Sequence, residues 1–209
     1  MLEQLLRIYK NVNPNELSLY QFRELEKEIK SKNSRTISDE YVDFKLWMQG
    51  LPSRQENFAS FLEKRIPKKE GMKILEVGCG RTGRLSRILV KKGLDVTGID
   101  PKVEMLNCDN TKFIRGKFEH TKFELSAYDF VIAQEPCDAT EHIIRACVKQ
   151  RVPFIISLCG VPHKTISGFM PKNEKEWYQY LLKISAKDLE LYYIKLDPLT
   201  ITPILKSNF

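Results

Sequence analysis

The chain lacks the features that would place it in several large classes. None of its 209 residues lies in an apolar run approaching the roughly 20 residues that a membrane-spanning helix needs. The five cysteines, Cys79, Cys108, Cys137, Cys147 and Cys159, are scattered and include no Cys-x-x-Cys pair. That leaves neither a zinc-ligand pattern nor a disulfide framework, so no metal is expected and the thiols read as reduced. There are only three histidines, so any histidine chemistry rests on His120, His142 or His163. No internal repeat and no low-complexity tract is found. The first residues mix acids and bases without a small-residue cleavage pattern, which is not how a signal peptide is built. The expectation is a cytoplasmic protein with no membrane attachment.

What is present fits a globular chain, with 42% apolar and 29% charged residues. The net charge is +7 and the isoelectric point about 9.1, a balance that attracts polyanions. One basic tract stands out: Arg81, Arg84, Arg87, Lys91 and Lys92 follow one another with no acid among them. On a helix over 82–92, Arg84, Arg87 and Lys91 share one face. That face is either a solvated surface or a track for phosphates.

Three regions emerge along the chain. Residues 1–67 read as a helical extension, with candidate helices over 2–10, 15–32, 38–48 and 54–65. Asn15, Ser38 and Ser53 are placed to cap them, and Ser53 with Glu56 forms a capping-box pattern. Phe58, Phe61, Leu62 and Ile66 make an apolar stripe at helical spacing. Pro67 and the following Lys-Lys-Glu-Gly punctuate a boundary, giving a second domain over 68–209. There strands over 73–77, 94–99, 112–115, 128–133 and 153–158 alternate with helices over 82–92 and 139–149. Apolar strands alternating with helices imply an α/β fold with a mostly parallel sheet covered on both faces. A helix over 172–184 follows, then β-rich runs over 189–196 and 200–205 around Asp197-Pro198-Leu199, an antiparallel hairpin.

The informative motif lies between the first strand and its helix. Gly78, Gly80 and Gly83 form Gly-x-Gly-x-x-Gly, which lets backbone approach a ligand where a Cβ would clash. The next strand ends in Asp100, placed to accept hydrogen bonds from ribose hydroxyls. This pattern alone serves NAD, FAD and S-adenosylmethionine proteins alike. Glu76 shifts the balance: a carboxylate two residues before the first glycine repels a pyrophosphate but tolerates a cationic ligand.

Ile74-Leu75-Glu76-Val77-Gly78-Cys79-Gly80 resembles the first motif of the class I S-adenosylmethionine-dependent methyltransferases, and Gly98-Ile99-Asp100 the second. The resemblance covers roughly 72–160. It implies a Rossmann-like, doubly wound sheet in which the terminal hairpin supplies the sixth and seventh strands. It further implies S-adenosylmethionine as cofactor, held by Glu76, Gly78, Cys79, Gly80, Gly83 and Asp100. After the third strand the family often carries an acid followed by a small residue; here the positions are Lys117-Phe118. Phe118 is then the candidate for stacking on adenine, with Glu119 as a substitute acceptor.

After the fourth strand come Glu135 and Asp138, in a Pro-Cys-Asp-Ala-Thr stretch that loosely resembles a loop of some RNA-acting class I enzymes. Loops beyond the carboxyl ends of strands face the ligand crevice, so Glu135 and Asp138 are catalytic candidates, although Asp138 or Thr140 would equally serve as a helix cap. His163, after the fifth strand, is a candidate base. The functional expectation is methyl transfer, with RNA placed ahead of a small molecule or a protein as acceptor. The alternatives are a non-catalytic S-adenosylmethionine-binding module and another Rossmann nucleotide-binding protein. Oligomeric state is not legible.

Overall fold

The computed structural model describes residues 46, 49–67, 69–104, 111–162, 164–185, 189–196 and 201–209. The candidate helices over 2–10 and 15–32, the caps Asn15 and Ser38, Cys108, the turn at 197–199 and His163 lie outside them, as does the helix over 38–48 apart from Leu46. The chain divides into two compact units, Met1–Asn57 and Phe58–Phe209. The division falls inside the helix α1 (Arg54–Glu63). At the start of that helix the expected capping box is formed. The Glu56 N–H donates to Ser53 Oγ at 3.3 Å, and Ser53 N–H and O–H both donate to Glu56 Oε2, at 2.8 and 2.6 Å.

The second unit is built on seven strands: β1 (Lys73–Val77), β2 (Asp95–Asp100), β3 (Lys112–Arg115), β4 (Phe130–Gln134), β5 (Phe154–Ser157), β6 (Leu189–Ile194) and β7 (Thr202–Ser207). Among the described residues they form one sheet in the order β3-β2-β1-β4-β5-β7-β6. β1 to β5 pair in parallel; β7 runs antiparallel to both β5 and β6. The helices are α2 (Arg84–Lys91), α3 (Thr140–Gln150) and α4 (Glu174–Ile184). This is the doubly wound, Rossmann-like arrangement, closed by an antiparallel hairpin. No helix among the described residues is long and apolar enough to cross a membrane.

Burial explains why the strands read as continuous apolar runs. In β4, Phe130 and Ile132 join one core while Val131 and Ala133 join the other. The first core takes Ile74, Ile132 and Ile155 against Phe58, Phe61 and Leu62 of α1 and Leu85 and Leu89 of α2. The second takes Leu75, Val77, Val131 and Ile156 against Ile143, Ile144 and Cys147 of α3 and Trp177 and Leu181 of α4. Each fully buried aliphatic or aromatic side chain stabilises by about 1.5–3 kcal/mol over its exposed state.

Element ends differ from expectation by one or two residues, for local reasons. α2 begins at Arg84 because the three glycines occupy the turn before it. β7 is 202–207 rather than 200–205: its partner is β5, and the pairs Ile204 with Ser157 and Lys206 with Ile155 carry it beyond Leu205. α3 is preceded by a 3-10 turn over Cys137–Ala139, and its first residue is Thr140.

One buried acid ties the loop after β5 to the helices. Glu141, in the first turn of α3, is 3% exposed. Its Oε1 accepts from Arg145 Nε at 2.8 Å and from Tyr180 O–H at 2.6 Å, and its Oε2 accepts from Ile166 N–H at 2.7 Å. Glu141→Ala leaves these donors without their acceptor in a desolvated site. Urea unfolding of this variant is expected to show a loss of about 2–3 kcal/mol. A change below about 0.5 kcal/mol, the range of an ordinary surface substitution, contradicts this role.

Candidate active site

Strand order reverses between β1 and β4, since β2 and β3 lie on one side of β1 and β4 and β5 on the other. Beyond the carboxyl ends of two such strands the following loops part company and leave a crevice. The loop after β1 holds the glycines. Gly78 has φ 78°, and a Cβ there would lie 3.2 Å from Pro136 Cα, so the loops after β1 and β4 meet at this point. Gly80, at φ 70°, faces open space: nothing lies within 4 Å of a Cβ built on it. Gly83 has a different surrounding. A Cβ on it would fall 2.1 Å from the Phe113 ring, so its smallness serves the packing of α2 against β3.

Asp100, at the end of β2, organises this loop. Its Oδ2 accepts the Gly80 N–H at 3.1 Å and its Oδ1 the Lys102 N–H at 2.7 Å. Each carboxylate oxygen retains a lone pair for a further donor. Cys79 is buried with Val103 and Phe113. Burial, together with the negative charges of Glu76 and Asp100, pushes its thiol well above the usual range. Gly98, within the Gly98-Ile99-Asp100 motif, is a packing site. A Cβ there would lie 2.9 Å from Cys79 Sγ, Phe113 and Ser86 Oγ at once.

Glu76 is 2% exposed and turns toward α2, where it accepts from the Ser86 hydroxyl and backbone N–H. Burial pushes its carboxyl up to about 7, against the lowering effect of the Ser86 bonds; the charge of Asp100 adds to the rise.

The loop after β4 is strained. Glu135 and Cys137 adopt φ 53° and 48°, the left-handed region, which costs a non-glycine residue about 1–3 kcal/mol. The Glu135 N–H donates to Ser157 O at 2.8 Å, which holds this turn to the end of β5. Glu135 is half-buried and Asp138 exposed. The residue capping α3 is Ala139, without a side-chain hydrogen bond, and Thr140 is buried. Neither Asp138 nor Thr140 therefore caps the helix.

Phe118 is buried in the core, its ring 4.9 Å from that of Phe123. Glu119 pairs with Lys122 at 2.5 Å. Beside them lies a contact that the sequence spacing did not signal. His120 Nδ1 and His142 Nδ1 are 2.9 Å apart, and the His120 N–H reaches His142 Nδ1 at 3.3 Å. Burial and the neighbouring His120 lower the basicity of His142. Of the basic tract, Arg84 and Arg87 are half-buried, and the Arg87 guanidinium sits 5.6 Å from the Phe113 ring centroid. Among the described residues no group of three or more His, Cys, Asp or Glu side chains is placed to hold a metal ion.

Residues 75–150 match the family model described as a methyltransferase domain. The matched residues run from within β1 to the end of α3 of the Rossmann-like sheet. Solved structures agree on the fold. The plantazolicin methyltransferase BpumL, in complex with a triazolic desmethylPZN analog and SAH, is 16% identical with a TM-score of 0.50, and the match covers 100% of both chains. The tRNA (uracil-54, C5)-methyltransferase of Pyrococcus abyssi, in complex with S-adenosyl-L-homocysteine, is 18% identical with a TM-score of 0.50. That match covers 75% of this chain and 38% of the other. No curated protein matches the sequence.

The state of Glu76 gives a measurable consequence. With its carboxyl at about 7 in the fold and near 4.5 in the unfolded chain, the folded protein binds more protons between these values. Stability therefore falls as pH rises through that window and levels off above it. Glu76→Gln keeps an acceptor for Ser86 and removes the titration. Thermal and urea unfolding should find this variant equal to the parent near pH 4 and more stable at about pH 8, by up to ~3 kcal/mol. The same difference at both pH values rules out a buried titrating carboxyl.

Proposed function

We propose that the crevice over the ends of β1, β2 and β4 binds S-adenosylmethionine, and that RNA is the methyl acceptor. The observation that carries the cofactor assignment is the convergence of three features. These are the open backbone at Gly80, the Asp100 carboxylate bonded to that backbone, and the loop after β4 closing on Gly78. When bound, the cofactor supplies a methyl group on a cationic sulfonium. In this reading the backbone of Gly78, Cys79 and Gly80 lies along its methionine end, and Asp100 accepts from its ribose hydroxyls. Asp100, joined by Glu76 where that carboxyl is ionised, makes the site negative, which suits a cationic ligand and disfavours a pyrophosphate. Gly83 and Phe118 support the site by packing. Glu135 and Asp138, on the loop after β4, face the acceptor.

The chain's task is then to hold donor and acceptor in line, and such positioning is worth many orders of magnitude in rate. RNA is favoured by the net charge of +7 and by a basic rim. Arg81 of the glycine loop, Lys102 after β2, Arg115 at the end of β3 and Lys117 beyond it are all exposed at this edge of the sheet. Of the acids there, Glu104 is paired with Arg81 and Glu119 with Lys122. The two structures above are described as a plantazolicin methyltransferase and a tRNA (uracil-54, C5)-methyltransferase, and a small molecule or a protein is the competing acceptor. The scattered cysteines fit a cytoplasmic setting.

Calorimetric titration with S-adenosylhomocysteine, with NAD as control, tests the cofactor site. Asp100→Ala should weaken S-adenosylhomocysteine binding by about 1.5–3 kcal/mol, roughly ten- to a hundredfold. Unchanged affinity in the folded variant removes Asp100 from the site, and binding of NAD in its place overturns the assignment. For the acceptor, affinity for a structured RNA should fall steeply with added salt. Lys102→Ala and Lys117→Ala should each flatten the slope of log affinity against log salt by about 0.7–0.9, one phosphate contact apiece. RNA affinity that ignores salt and both variants directs the search to small molecules or peptides.

A further inference from the structure

The chain leaving β5 forms an anchored turn that carries apolar side chains into solvent. Gln134 pairs with Ser157 and the Glu135 N–H donates to Ser157 O, so β4 and β5 end at one edge of the sheet. Beyond β5, the Thr165 N–H donates to Phe169 O at 2.8 Å and the Gly168 N–H to Thr165 O at 3.1 Å. The buried Glu141 carboxylate holds the Ile166 N–H at 2.7 Å, and Ser167 Oγ lies 2.9 Å from the Tyr180 hydroxyl. Glu141 follows Asp138 by three residues, so the turn is fastened beside the loop after β4. On this turn Ile166, Phe169 and Met170 are 46%, 40% and 59% exposed. An exposed apolar cluster gains nothing from folding, and on an anchored turn it marks a contact surface. Phe169 has a particular setting within it. Its ring stacks on Tyr180, with centroids 5.4 Å and planes 25° apart, and Tyr180 stacks on Trp177 at 5.8 Å and 15°. Trp177 is buried, so the stack is rooted in the core and ends in solvent at Phe169. Lys164 and Lys172, both exposed, flank the turn. Of the acids here, Glu141 is engaged by Arg145, Glu176 accepts the Lys172 N–H, and Glu174 stands next to Lys175.

We propose that Phe169 is a stacking platform for an unpaired base of the acceptor RNA, with Lys164 and Lys172 serving the adjoining phosphates. The inference rests on the RNA reading above and adds the form in which the RNA is recognised. A base prolongs a stack whose inner rings are already fixed, so little side-chain freedom is lost on binding. Every base offers a π-face, and unpaired bases splayed from a strand are read in this way. A duplex keeps its bases stacked on one another and offers the platform none. The two lysines suit the backbone that accompanies a base. An apolar peptide would use Ile166, Phe169 and Met170 and leave both lysines idle. The turn is fastened to the first turn of α3, so the base it holds lies on the side of the crevice that Glu135 and Asp138 face. None of its residues belongs to the glycine loop or touches Asp100, so cofactor binding does not depend on it.

The test uses the full chain and fluorescence anisotropy with two labelled probes, an oligouridylate of about 12 nucleotides and an RNA duplex of the same length. Phe169→Leu keeps an apolar side chain and removes the ring. It should weaken oligouridylate binding by roughly 5- to 150-fold, the worth of one stacked base. Duplex affinity should not change, nor should the salt slope, since no phosphate contact is lost. Phe169→Trp should bind oligouridylate at least as tightly as the parent. Its emission should gain a component that the RNA quenches at the binding midpoint, a readout that holds even if the leucine variant fails to fold. The platform is overturned, and the RNA reading kept, if the parent binds both probes and Phe169→Leu binds oligouridylate equally well. An equal loss on both probes overturns it too, because a duplex has no free base to stack. So does an unchanged RNA affinity in a variant that loses binding to an uncharged peptide rich in leucine and phenylalanine, which assigns the turn to a protein. If the parent binds neither RNA, the RNA reading itself falls and the platform with it.

Discussion

The arrangement rests on β1 being paired in parallel on both sides, with β2 on one flank and β4 on the other. Because all three strands point the same way, the loops that follow them emerge at one edge. Because the chain order reverses at β1, those loops diverge and leave a crevice between them. The contact of Gly78 with Pro136 sets how near the two loops approach, and a side chain at position 78 would push them apart. Asp100, one strand over, then fixes the glycine loop from the other side by accepting the Gly80 N–H. The loop after β1 is therefore a largely backbone surface, held in place by one carboxylate and one proline.

That dependence explains what was readable in the sequence. The strands were legible because burial on both faces forces unbroken apolar runs, as in Phe130–Gln134 and Phe154–Ser157. The glycine motif and Asp100 were legible because close backbone approach and a strand-end carboxylate each require particular residue types. The roles within the motif were not. Gly80 and Gly83 look alike in the sequence, yet one opens on the crevice and the other makes room for Phe113. Phe118 lies where a stacking ring was expected but turns into the core against Phe123, a choice made by tertiary packing that no local pattern records.

Contacts between distant segments were out of reach for the same reason. His120 and His142 meet because the loop after β3 and the first turn of α3 converge. An acid in the first turn of a helix, as Glu141 is, is favourable there on charge alone. In the fold it is a buried anchor for Ile166 and Tyr180. Spacing along the chain carries no trace of such pairings.

Among the described residues, the two buried acids, Glu76 and Glu141, show how one residue type is used in opposite ways. Glu141 is met by the Arg145 guanidinium, the Tyr180 hydroxyl and the Ile166 N–H, so its negative charge is compensated within the chain. Glu76 is met by a hydroxyl and an amide N–H from Ser86, with the like charge of Asp100 nearby, and its carboxyl rises to about 7. A charge held at such a cost is conditional, since a cation entering the crevice beside Asp100 lowers the free energy of the ionised form. By linkage, whatever lowers that carboxyl's pKa on binding is itself bound more tightly as Glu76 ionises. On the reading proposed here, the cationic cofactor is that ligand, and the glycine loop is coupled to its arrival through the Glu76–Ser86 bond behind it.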